Sequence, residues 1–353
     1  MLAYNNYMPL IASINISQFL ANIKAIKQKV RTNIIAVVKA DAYGHGAAAL
    51  SKYSQDFVDA FAVADIIEAN ELAESGIVKP IHILSPISCS ADKNLFLDNF
   101  IPTICSLRDI ECIKKLKKPL SYGVALELNT GMNRLGLNQN ELPIAITRLK
   151  QFNIKVQSIF SHLYNASNLN DCQKQLNKFS SFTKDVPPQI PLHIAASSCT
   201  NLPNTFYFDA VRLGIGLYGY ANDTTPILKI HSDILKIFAV KKGENISYGE
   251  YTAPRDMLIA AVRAGYADGI KRKIEPETEN RFMSINGKLC PIIGQVCMDI
   301  TMIDVTNANV SYIDPVYILG EGVTANMLAC DQITNVYEIL TNFKGRVRRE
   351  YVR

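Results

Sequence analysis

The chain has 353 residues, 48% of them apolar, which is enough for two domains or for one barrel with an appended domain. Its net charge is +5, and its longest basic cluster lies at residues 344–349, near the C-terminus. It has no basic stripe, no leader-like N-terminus and no run of about 18 apolar residues, so we expect a cytoplasmic protein that binds neither nucleic acid nor membranes. The eight cysteines form no CxxC pair and have no histidine at metal-ligand spacing, which predicts reduced thiols and no metal site.

Short apolar runs alternate with amphipathic segments over about the first 220 residues. This alternation predicts parallel β-strands joined by helices. We therefore expect an α/β fold, a (β/α)₈ barrel of the TIM type, with an open doubly wound sheet as the alternative. The number of runs favours the barrel. The predicted strands are Leu10–Ile14, Ile34–Val38, Ala60–Ala64, Ile81–Leu84, Ile101–Cys105, Val124–Leu128, Val156–Phe160, Leu192–Ala195 and Ala210–Leu213.

The pattern changes after Pro226. Runs rich in β-branched residues, such as 234–240 and 257–263, are broken by Gly, Asn, Asp and Pro, and helical periodicity does not return until about residue 324. We therefore expect two domains, a barrel over residues 1–226 and a mostly β C-terminal domain over residues 227–353.

Residues 36–46 read AVVKADAYGHG, so an apolar strand delivers Lys39 to its carboxyl end before a glycine-rich turn. Removal of water disfavours the charged ammonium group and lowers the pKa of a lysine, which leaves an amine able to attack a carbonyl group. Lys39 is therefore a candidate for holding an aldehyde cofactor. The alternative is a lysine that extends its ammonium group from the strand end into solvent.

Two later segments could bind a phosphate group. HIAAS places the Ser197 hydroxyl after a predicted strand, and VRLGIGLYG places the backbone N–H groups of Gly214 and Ile215 where they can approach an anion closely. In a barrel, the loops after the last two strands are a frequent phosphate site.

Arg212, inside VRLGIG, lies at the end of an apolar strand, where an unpaired guanidinium group is costly. It could donate to a nitrogen in a cofactor ring, which would have to be an unprotonated acceptor because arginine keeps its own proton. A structural ion pair with an acidic residue such as Asp209 is the alternative.

Eight blocks resemble those of alanine racemases, in the order AVVKADAYGHG, ELNTGMNRLG, SHLYNAS, HIAAS, VRLGIGLYG, ISYGEYTA, AGYADG and GQVCMD. They cover nearly the full length of the chain with the family's spacing. The resemblance implies a pyridoxal-phosphate (PLP) enzyme of fold-type III, a barrel followed by a β domain, acting as a homodimer whose active sites are each completed by the other subunit. It also implies that the chain interconverts L-alanine and D-alanine, an isomerase activity that supplies D-alanine for peptidoglycan.

The resemblance further implies roles for individual residues. Lys39 would hold PLP as an aldimine and act as one base. Tyr248 would be the second base on the opposite face, because inversion at Cα removes a proton on one face and adds one on the other. The other implied roles are Tyr43 at the phosphate, His162 against the cofactor ring, Arg212 at the ring nitrogen, Arg134 near the ring hydroxyl and the substrate, Tyr266 in the substrate pocket, and the Met298 N–H at the substrate carboxylate.

Three positions depart from the pattern of this family. Glu127 stands where many racemases have a carbamylated lysine, and we expect its carboxylate to pair with Arg134 without that modification. Asn129 replaces a frequent aspartate. Gly345 replaces a tyrosine that precedes RV in some members, which would remove one phosphate contact.

Two other functions fit parts of the sequence. Another PLP barrel enzyme could racemise a different amino acid or decarboxylate a basic one, but a decarboxylase needs a group for a distal charge that Tyr248, Tyr266 and Met298 do not obviously provide. A non-catalytic PLP carrier would lack the domain after residue 227. We therefore expect alanine racemisation.

Overall fold

The computed structural model describes residues 10–88, 98–115, 121–272 and 281–353. The strands are β1 (Leu10–Asn15), β2 (Asn33–Val37), β3 (Ala60–Val63), β4 (Ile81–Pro86), β5 (Phe100–Ile104), β6 (Val124–Glu127), β7 (Val156–Phe160), β8 (Leu192–His193), β9 (Ala210–Leu213), β10 (Leu228–Ser232), β11 (Ile234–Val240), β12 (Met257–Val262), β13 (Phe282–Ile285), β14 (Lys288–Pro291), β15 (Thr301–Asp304), β16 (Val316–Leu319) and β17 (Val347–Val352). The helical segments are α1 (Ile16–Val30), α2 (Lys39–Tyr43), α3 (Ala47–Ser54), α4 (Ile66–Glu74), α5 (Leu107–Lys114), α6 (Glu141–Gln151), α7 (Leu169–Thr183), α8 (Ala325–Asp331) and α9 (Val336–Asn342).

Eight parallel strands form the barrel of the larger of two compact units, which comprises Ser17–Ala42 and Gly46–Pro226. The strand order is β8-β7-β6-β5-β4-β3-β2-β9, and the two end strands meet where Arg212 N donates to Ala195 O at 3.0 Å. The sheet therefore closes on itself, which confirms the predicted (β/α)₈ barrel over the open sheet. Strands β3, β5 and β9 are buried at every residue, which explains why their sequences are mostly apolar.

The parallel direction of these strands places their carboxyl ends at one rim of the barrel. Strands β2, β6 and β7 lead at that rim into the segments that carry Lys39, Arg134 and His162, and Arg212 lies in β9 itself. This rim is the usual position of an active site in a barrel of this type.

The smaller unit contains the described residues up to Ile16, together with Tyr43–His45 and Ile227–Arg353. It is mostly β-structure, as predicted for the region after residue 226. A six-stranded sheet has the order β14-β13-β16-β10-β1-β17, a three-stranded sheet has the order β11-β12-β15, and α8 and α9 complete the unit.

Strand β1 lies in this six-stranded sheet, whereas Leu10–Ile14 had been predicted among the barrel strands. It pairs antiparallel with β10 and parallel with β17. Its buried and less buried residues alternate, which is the pattern of a strand covered on one face. Both partners lie far along the chain, with Leu10 opposite Ser232 and Val347, so a short apolar run could not reveal the pairing.

The prediction of reduced thiols holds for six described cysteines and is wrong for Cys112, which is disulfide-bonded. Spacing along a sequence does not show which sulfur atoms meet in the fold, and the prediction for Cys89 lies outside the described residues. Across the described ranges, no helix is long and apolar enough to cross a bilayer.

Candidate active site

Lys39 follows β2 at the carboxyl rim of the barrel and is half-buried. Burial lowers the pKa of its ammonium group, and the nearby positive charge of Arg134 lowers it further. The carboxylate of Glu68 acts in the opposite direction and raises it. The net effect is an amine that gives up its proton more easily than a lysine in water, as required for attack on a carbonyl group.

The chain after Lys39 turns through residues 40–43 with left-handed backbone angles, φ running from +51° to +54°. None of these residues is glycine, and such a conformation costs about 1–2 kcal/mol per residue. Asp41 holds the end of the turn, since its Oδ1 accepts from Ala47 N at 2.8 Å and its carbonyl accepts from Gly46 N at 2.9 Å. The direction of Lys39 is therefore set by a strained but anchored backbone.

Arg212 is almost completely buried, and its guanidinium group is surrounded by acceptors. Its Nη2 donates to Ser161 O at 2.6 Å and Ile194 O at 3.3 Å, and its Nη1 donates to His193 O at 3.3 Å. Nη1 also lies 2.6 Å from His193 Nδ1, and Nη2 lies 3.3 Å from His162 Nδ1. Burial lowers the pKa of Arg212 to about 10, which still leaves the guanidinium group charged at neutral pH.

The alternative role of Arg212, an ion pair with Asp209, is not formed. Asp209 Oδ2 instead accepts from Leu192 N at 2.7 Å. Both Nη atoms of Arg212 are engaged, whereas Nε–H has no partner within the part of the chain that the structure describes. This N–H group is available to donate to an acceptor that enters the site.

Four of the predicted residues converge at the barrel rim. His162 is surrounded by positive charge, because Arg212, Arg134 and Lys39 all act on its imidazole ring. Burial is the largest cause of its shift, and together with these charges it lowers the pKa of His162 to about 3. The imidazole is therefore neutral at physiological pH, and the structure brings Lys39, Arg134, His162 and Arg212 into one electrostatic cluster.

Ser197 lies at the start of a 3₁₀ turn and is buried. Its Oγ accepts from Gly214 N at 2.9 Å and from Gly216 N at 3.1 Å. The Gly214 N–H that had been predicted to bind an anion is thus directed at Ser197, and the second amide in this arrangement is that of Gly216 and not of Ile215. With two N–H groups on its oxygen, the Ser197 hydroxyl keeps its own hydrogen for donation to an anion.

Arg134 is exposed in the loop that follows β6. Asn129 organises this loop, because its Oδ1 accepts from Gly131 N and Asn133 N, each at 3.1 Å. A side-chain amide oxygen accepts these bonds as a carboxylate would. The replacement of a frequent aspartate by Asn129 therefore preserves the turn.

The predicted ion pair between Glu127 and Arg134 is not formed in the described chain, and that prediction is wrong. Glu127 ends β6 as a buried residue, and its Oε2 accepts from Cys105 Sγ at 3.2 Å. The carboxylate also raises the pKa of Arg212, against the larger effect of burial. Glu127 is buried beside Cys105 while Arg134 is exposed in the loop, and the carboxylate stabilises the charge of Arg212 instead.

Sequence reasoning missed Gln175, a buried residue of α7. Its Nε2 donates to Thr130 Oγ1 at 3.2 Å and to His162 O at 3.0 Å, and its Oε1 accepts from Tyr164 N at 3.0 Å. It therefore ties together the loops after β6 and β7. The available signal was a glutamine on the otherwise apolar face of an amphipathic helix.

Tyr248, Tyr266 and Met298 belong to the smaller unit, where backbone contacts bring their segments together. Tyr248 forms a bridge with Gln295, and Tyr266 N donates to Cys297 O at 3.0 Å. All three side chains are exposed, with 64%, 38% and 53% of their surface accessible, respectively. Large aromatic and apolar side chains that are exposed close together, as these three are, are suited to contact with another molecule.

Two further predicted features also lie in the smaller unit. Tyr43 is buried, and its ring packs against Tyr337 with 5.8 Å between the centroids. Burial raises the pKa of the Tyr43 hydroxyl, so that it remains protonated as a donor. Gly345 has φ +66°, and a Cβ built at this position has no atom of the described residues within 4 Å. The space that the tyrosine side chain of other family members would enter is therefore not filled by another described residue.

Comparison with known proteins links both parts of the chain to one family. Residues 14–222 match the family model described as alanine racemase, N-terminal domain, and residues 227–351 match alanine racemase, C-terminal domain. The alanine racemase of Thermodesulfovibrio yellowstonii is 36% identical over 360 residues, covering 97% of this chain and 97% of that protein. That of Pasteurella multocida is 33% identical over 364 residues, covering 98% of this chain and 99% of that protein.

Solved structures give the same result. The crystal structure of alanine racemase from E. faecalis has a TM-score of 0.90 at 26% identity, with both chains covered completely. Alanine racemase from Bartonella henselae, solved with covalently bound pyridoxal phosphate, has a TM-score of 0.88 at 28% identity, covering 98% of this chain and all of that one.

Proposed function

Because the chain belongs to the alanine racemase family, we propose that it interconverts L-alanine and D-alanine with PLP held on Lys39 and with Lys39 and Tyr248 as the two bases. The activity is that of a PLP-dependent isomerase. The observation that carries the assignment of the site is the half-buried amine of Lys39, whose pKa is lowered at the carboxyl rim of the barrel.

The residues at this rim fit PLP. Lys39 supplies the amine for covalent attachment, and the Ser197 hydroxyl, which already accepts two backbone N–H groups, can donate to the phosphate. Tyr43 and the Ile215 N–H are the other proposed phosphate contacts, and Gly214, whose N–H donates to Ser197 Oγ, would position that hydroxyl. When bound, PLP withdraws electrons from Cα of the amino acid and makes its proton acidic.

Arg212 is proposed to face the ring nitrogen through its Nε–H. Its two Nη atoms are held by Ser161, Ile194 and His193, so this donor has a fixed direction. A charged arginine keeps its proton and requires an unprotonated acceptor. This favours brief removal and return of one proton over reactions that need stronger electron withdrawal.

Inversion at Cα needs a proton acceptor on one face and a proton donor on the other. We propose that Lys39 serves one face and that Tyr248 serves the other, with Tyr248 supplied by the second subunit of a homodimer. The exposure of Tyr248, Tyr266 and Met298 supports this assembly, because a partner subunit would cover these side chains. In the same pocket, the Met298 N–H is proposed to bind the substrate carboxylate, while Arg134 lies near the cofactor hydroxyl and the substrate.

The domain assignment is also a proposal. Residues up to 226 would provide the PLP-binding barrel, apart from the strand β1, and residues from 227 would provide Tyr248, Tyr266 and Met298. We further propose that the enzyme acts in the cytoplasm and that its D-alanine enters peptidoglycan precursors.

The decisive experiment records the absorbance of the purified protein near the band of lysine-bound PLP and then measures D-alanine formation from L-alanine. We expect both signals. Release of CO₂ from a basic amino acid without racemisation would identify a decarboxylase. Bound PLP without turnover of any amino acid would identify a carrier, and either result would contradict the proposal.

A further inference from the structure

The carboxylate of Glu68 makes two hydrogen bonds that join the ends of neighbouring barrel strands. Its Oε1 accepts from Ala40 N and its Oε2 accepts from Ala64 N, each at 2.7 Å. Ala40 directly follows Lys39, and Ala64 directly follows β3, the neighbour of β2 in the sheet. One side chain therefore fixes the first peptide after the lysine to the adjacent strand.

We propose that Glu68 is a positioning residue for Lys39, which anchors the entry of the left-handed turn and so sets the direction in which the amine leaves the strand. The inference rests on the proposed function of Lys39 as the residue that binds PLP.

The backbone conformation shows why an anchor is needed at this point. Residues 40–43 are all non-glycine residues with positive φ, which a chain adopts only where surrounding contacts compensate. Asp41 secures the far end of the turn through Ala47. At the near end, the side chain that binds the backbone of Ala40 is Glu68.

Ordinary helix capping does not account for this geometry. Glu68 is the third residue of α4, and the start of that helix is already capped by Asp65, whose Oδ1 accepts from Ile67 N at 2.9 Å and Glu68 N at 3.1 Å. A local role would explain the bond from Oε2 to Ala64. It would not explain the bond from Oε1 to Ala40, a residue 28 positions away along the chain.

Charge provides a second link to the same lysine. The Glu68 carboxylate favours the protonated form of the Lys39 amine, while burial and Arg134 favour the neutral form. Removal of this carboxylate therefore changes two separate properties, the position of the amine and the pH at which it becomes nucleophilic.

The test compares Glu68→Gln and Glu68→Ala with Glu71→Gln, which removes the same charge from an exposed position on the same helix. Each protein is freed of PLP, titrated with PLP by absorbance, and treated with borohydride so that the fraction trapped on Lys39 can be read by peptide mass. We expect about tenfold weaker PLP binding for Glu68→Gln, which keeps one acceptor oxygen, and about a hundredfold for Glu68→Ala, which keeps none.

The pH at which PLP attaches to Lys39 is the second readout. Since the carboxylate raises the pKa of Lys39, we expect the midpoint of attachment to move to lower pH in both Glu68 variants and to stay unchanged in Glu71→Gln. If Glu68→Ala does not fold, Glu68→Gln decides the question.

Unchanged PLP affinity and an unchanged pH midpoint in Glu68→Gln would overturn the inference. A loss of affinity that is accompanied by a lower melting temperature and no shift of the midpoint would also overturn it, because it would show a merely structural role. If the parent protein attaches PLP to Lys39 and the Glu68 variants have the same PLP affinity and pH midpoint, only the proposed role of Glu68 is refuted. If the parent itself does not attach PLP, the proposed function falls as well.

Discussion

Arg212 Nη1 lies 2.6 Å from Nδ1 of His193. Because the guanidinium group is the donor, His193 must present a lone pair on Nδ1 and carry its hydrogen on Nε2. Burial and the charge of Arg212 both lower the pKa of His193. The same two causes lower the pKa of His82, whose ring meets that of His193 edge-on with 6.1 Å between the centroids. The barrel interior therefore holds a permanent cation beside neutral histidines.

Stability should fall in acid because of these histidines. Burial lowers the pKa of His82 from 6.5 to about 4, so the unfolded chain takes up a proton at a higher pH than the folded chain does. The free energy of unfolding should therefore decrease as the pH falls from 6.5 toward 4, and His82 alone should contribute up to about 3 kcal/mol. Urea unfolding of the parent and of His82→Asn at several pH values measures this. The free energy of unfolding of His82→Asn should fall less steeply with decreasing pH than that of the parent. Equal dependence on pH in the two proteins would contradict the prediction.

Lys39→Ala should purify without covalently bound PLP and should lose racemisation in both directions. The substitution removes the amine that attaches the cofactor and one of the two bases together. Absorbance of the purified protein and chiral analysis of alanine measure the two losses. A PLP adduct that borohydride can reduce in this variant would contradict the assignment and place the attachment elsewhere.

Tyr248→Phe should keep its PLP and exchange the α-proton unequally from the two enantiomers of alanine. The change removes a hydroxyl from an exposed position without altering the ring, so proton transfer should slow on one face only. Deuterium uptake from L-alanine and from D-alanine gives the two rates. Near-parental and equal rates would exclude Tyr248 as a base.

Mixed subunits test whether Tyr248 acts across a dimer. Lys39→Ala and Tyr248→Phe protomers should each be inactive alone, and their mixed dimer would contain one site with both defects and one intact site. Random exchange should then restore up to about a quarter of the parental activity. The absence of recovery after proven subunit exchange would mean that each site is built from a single chain.

Glu127→Gln should destabilise the barrel and leave the enzyme insensitive to bicarbonate. The position has no lysine to carbamylate, and loss of the carboxylate leaves the buried Arg212 with less compensation. We expect the free energy of unfolding to fall by about 1–3 kcal/mol, together with weaker binding of PLP. Cys105→Ala is the control, since it removes the thiol donor and keeps the charge. An activity that rises with bicarbonate would refute this account of Glu127.

Gly265→Ala should raise the KM for alanine about tenfold or more. A Cβ at this position would lie 2.2 Å from Met298 O, so the added methyl group must displace the segment proposed to bind the substrate carboxylate. Gly287→Ala is the control, because a Cβ there meets no atom within 4 Å and its φ of +74° adds only local backbone strain. Steady-state kinetics should give a higher KM for Gly265→Ala than for Gly287→Ala. Similar KM values would show that the close approach of Gly265 to Met298 O does not affect substrate binding.

The barrel could be predicted from the sequence because its strands are buried on both faces and therefore read as apolar runs. Strand β1 was misplaced because a short apolar run such as residues 10–14 carries no mark of its distant partners. Two residues at the carboxyl rim of the barrel could also be predicted, because a charged lysine or arginine is costly in or next to an apolar strand and therefore indicates a function. Lys39 and Arg212 both lie where this reasoning placed them.

The residues that support Lys39 and Arg212 could not be predicted from the sequence in this way. Glu68 looks like an ordinary acid in the first turn of a helix, and only the fold brings the backbone of Ala40 to its carboxylate. The error at Glu127 has a similar origin. A spacing of seven residues to Arg134 permits contact, but the direction of each side chain depends on where the strand ends and the loop leaves the barrel.

Strand β1 lies between two neighbours that are made much later. The parallel neighbour of Leu10–Asn15 is Val347–Val352, which lies more than 300 residues later in the chain and is synthesised correspondingly later. At about 5–20 residues per second this delay is on the order of tens of seconds. During that interval the barrel strands can pair with one another, and β1 can pair along one edge once Leu228–Ser232 has been made. The other edge of β1 stays open to other chains until Val347–Val352 follows. The order of translation therefore allows the barrel to close before the six-stranded sheet is complete, and it leaves one edge of β1 open to chaperones in the meantime.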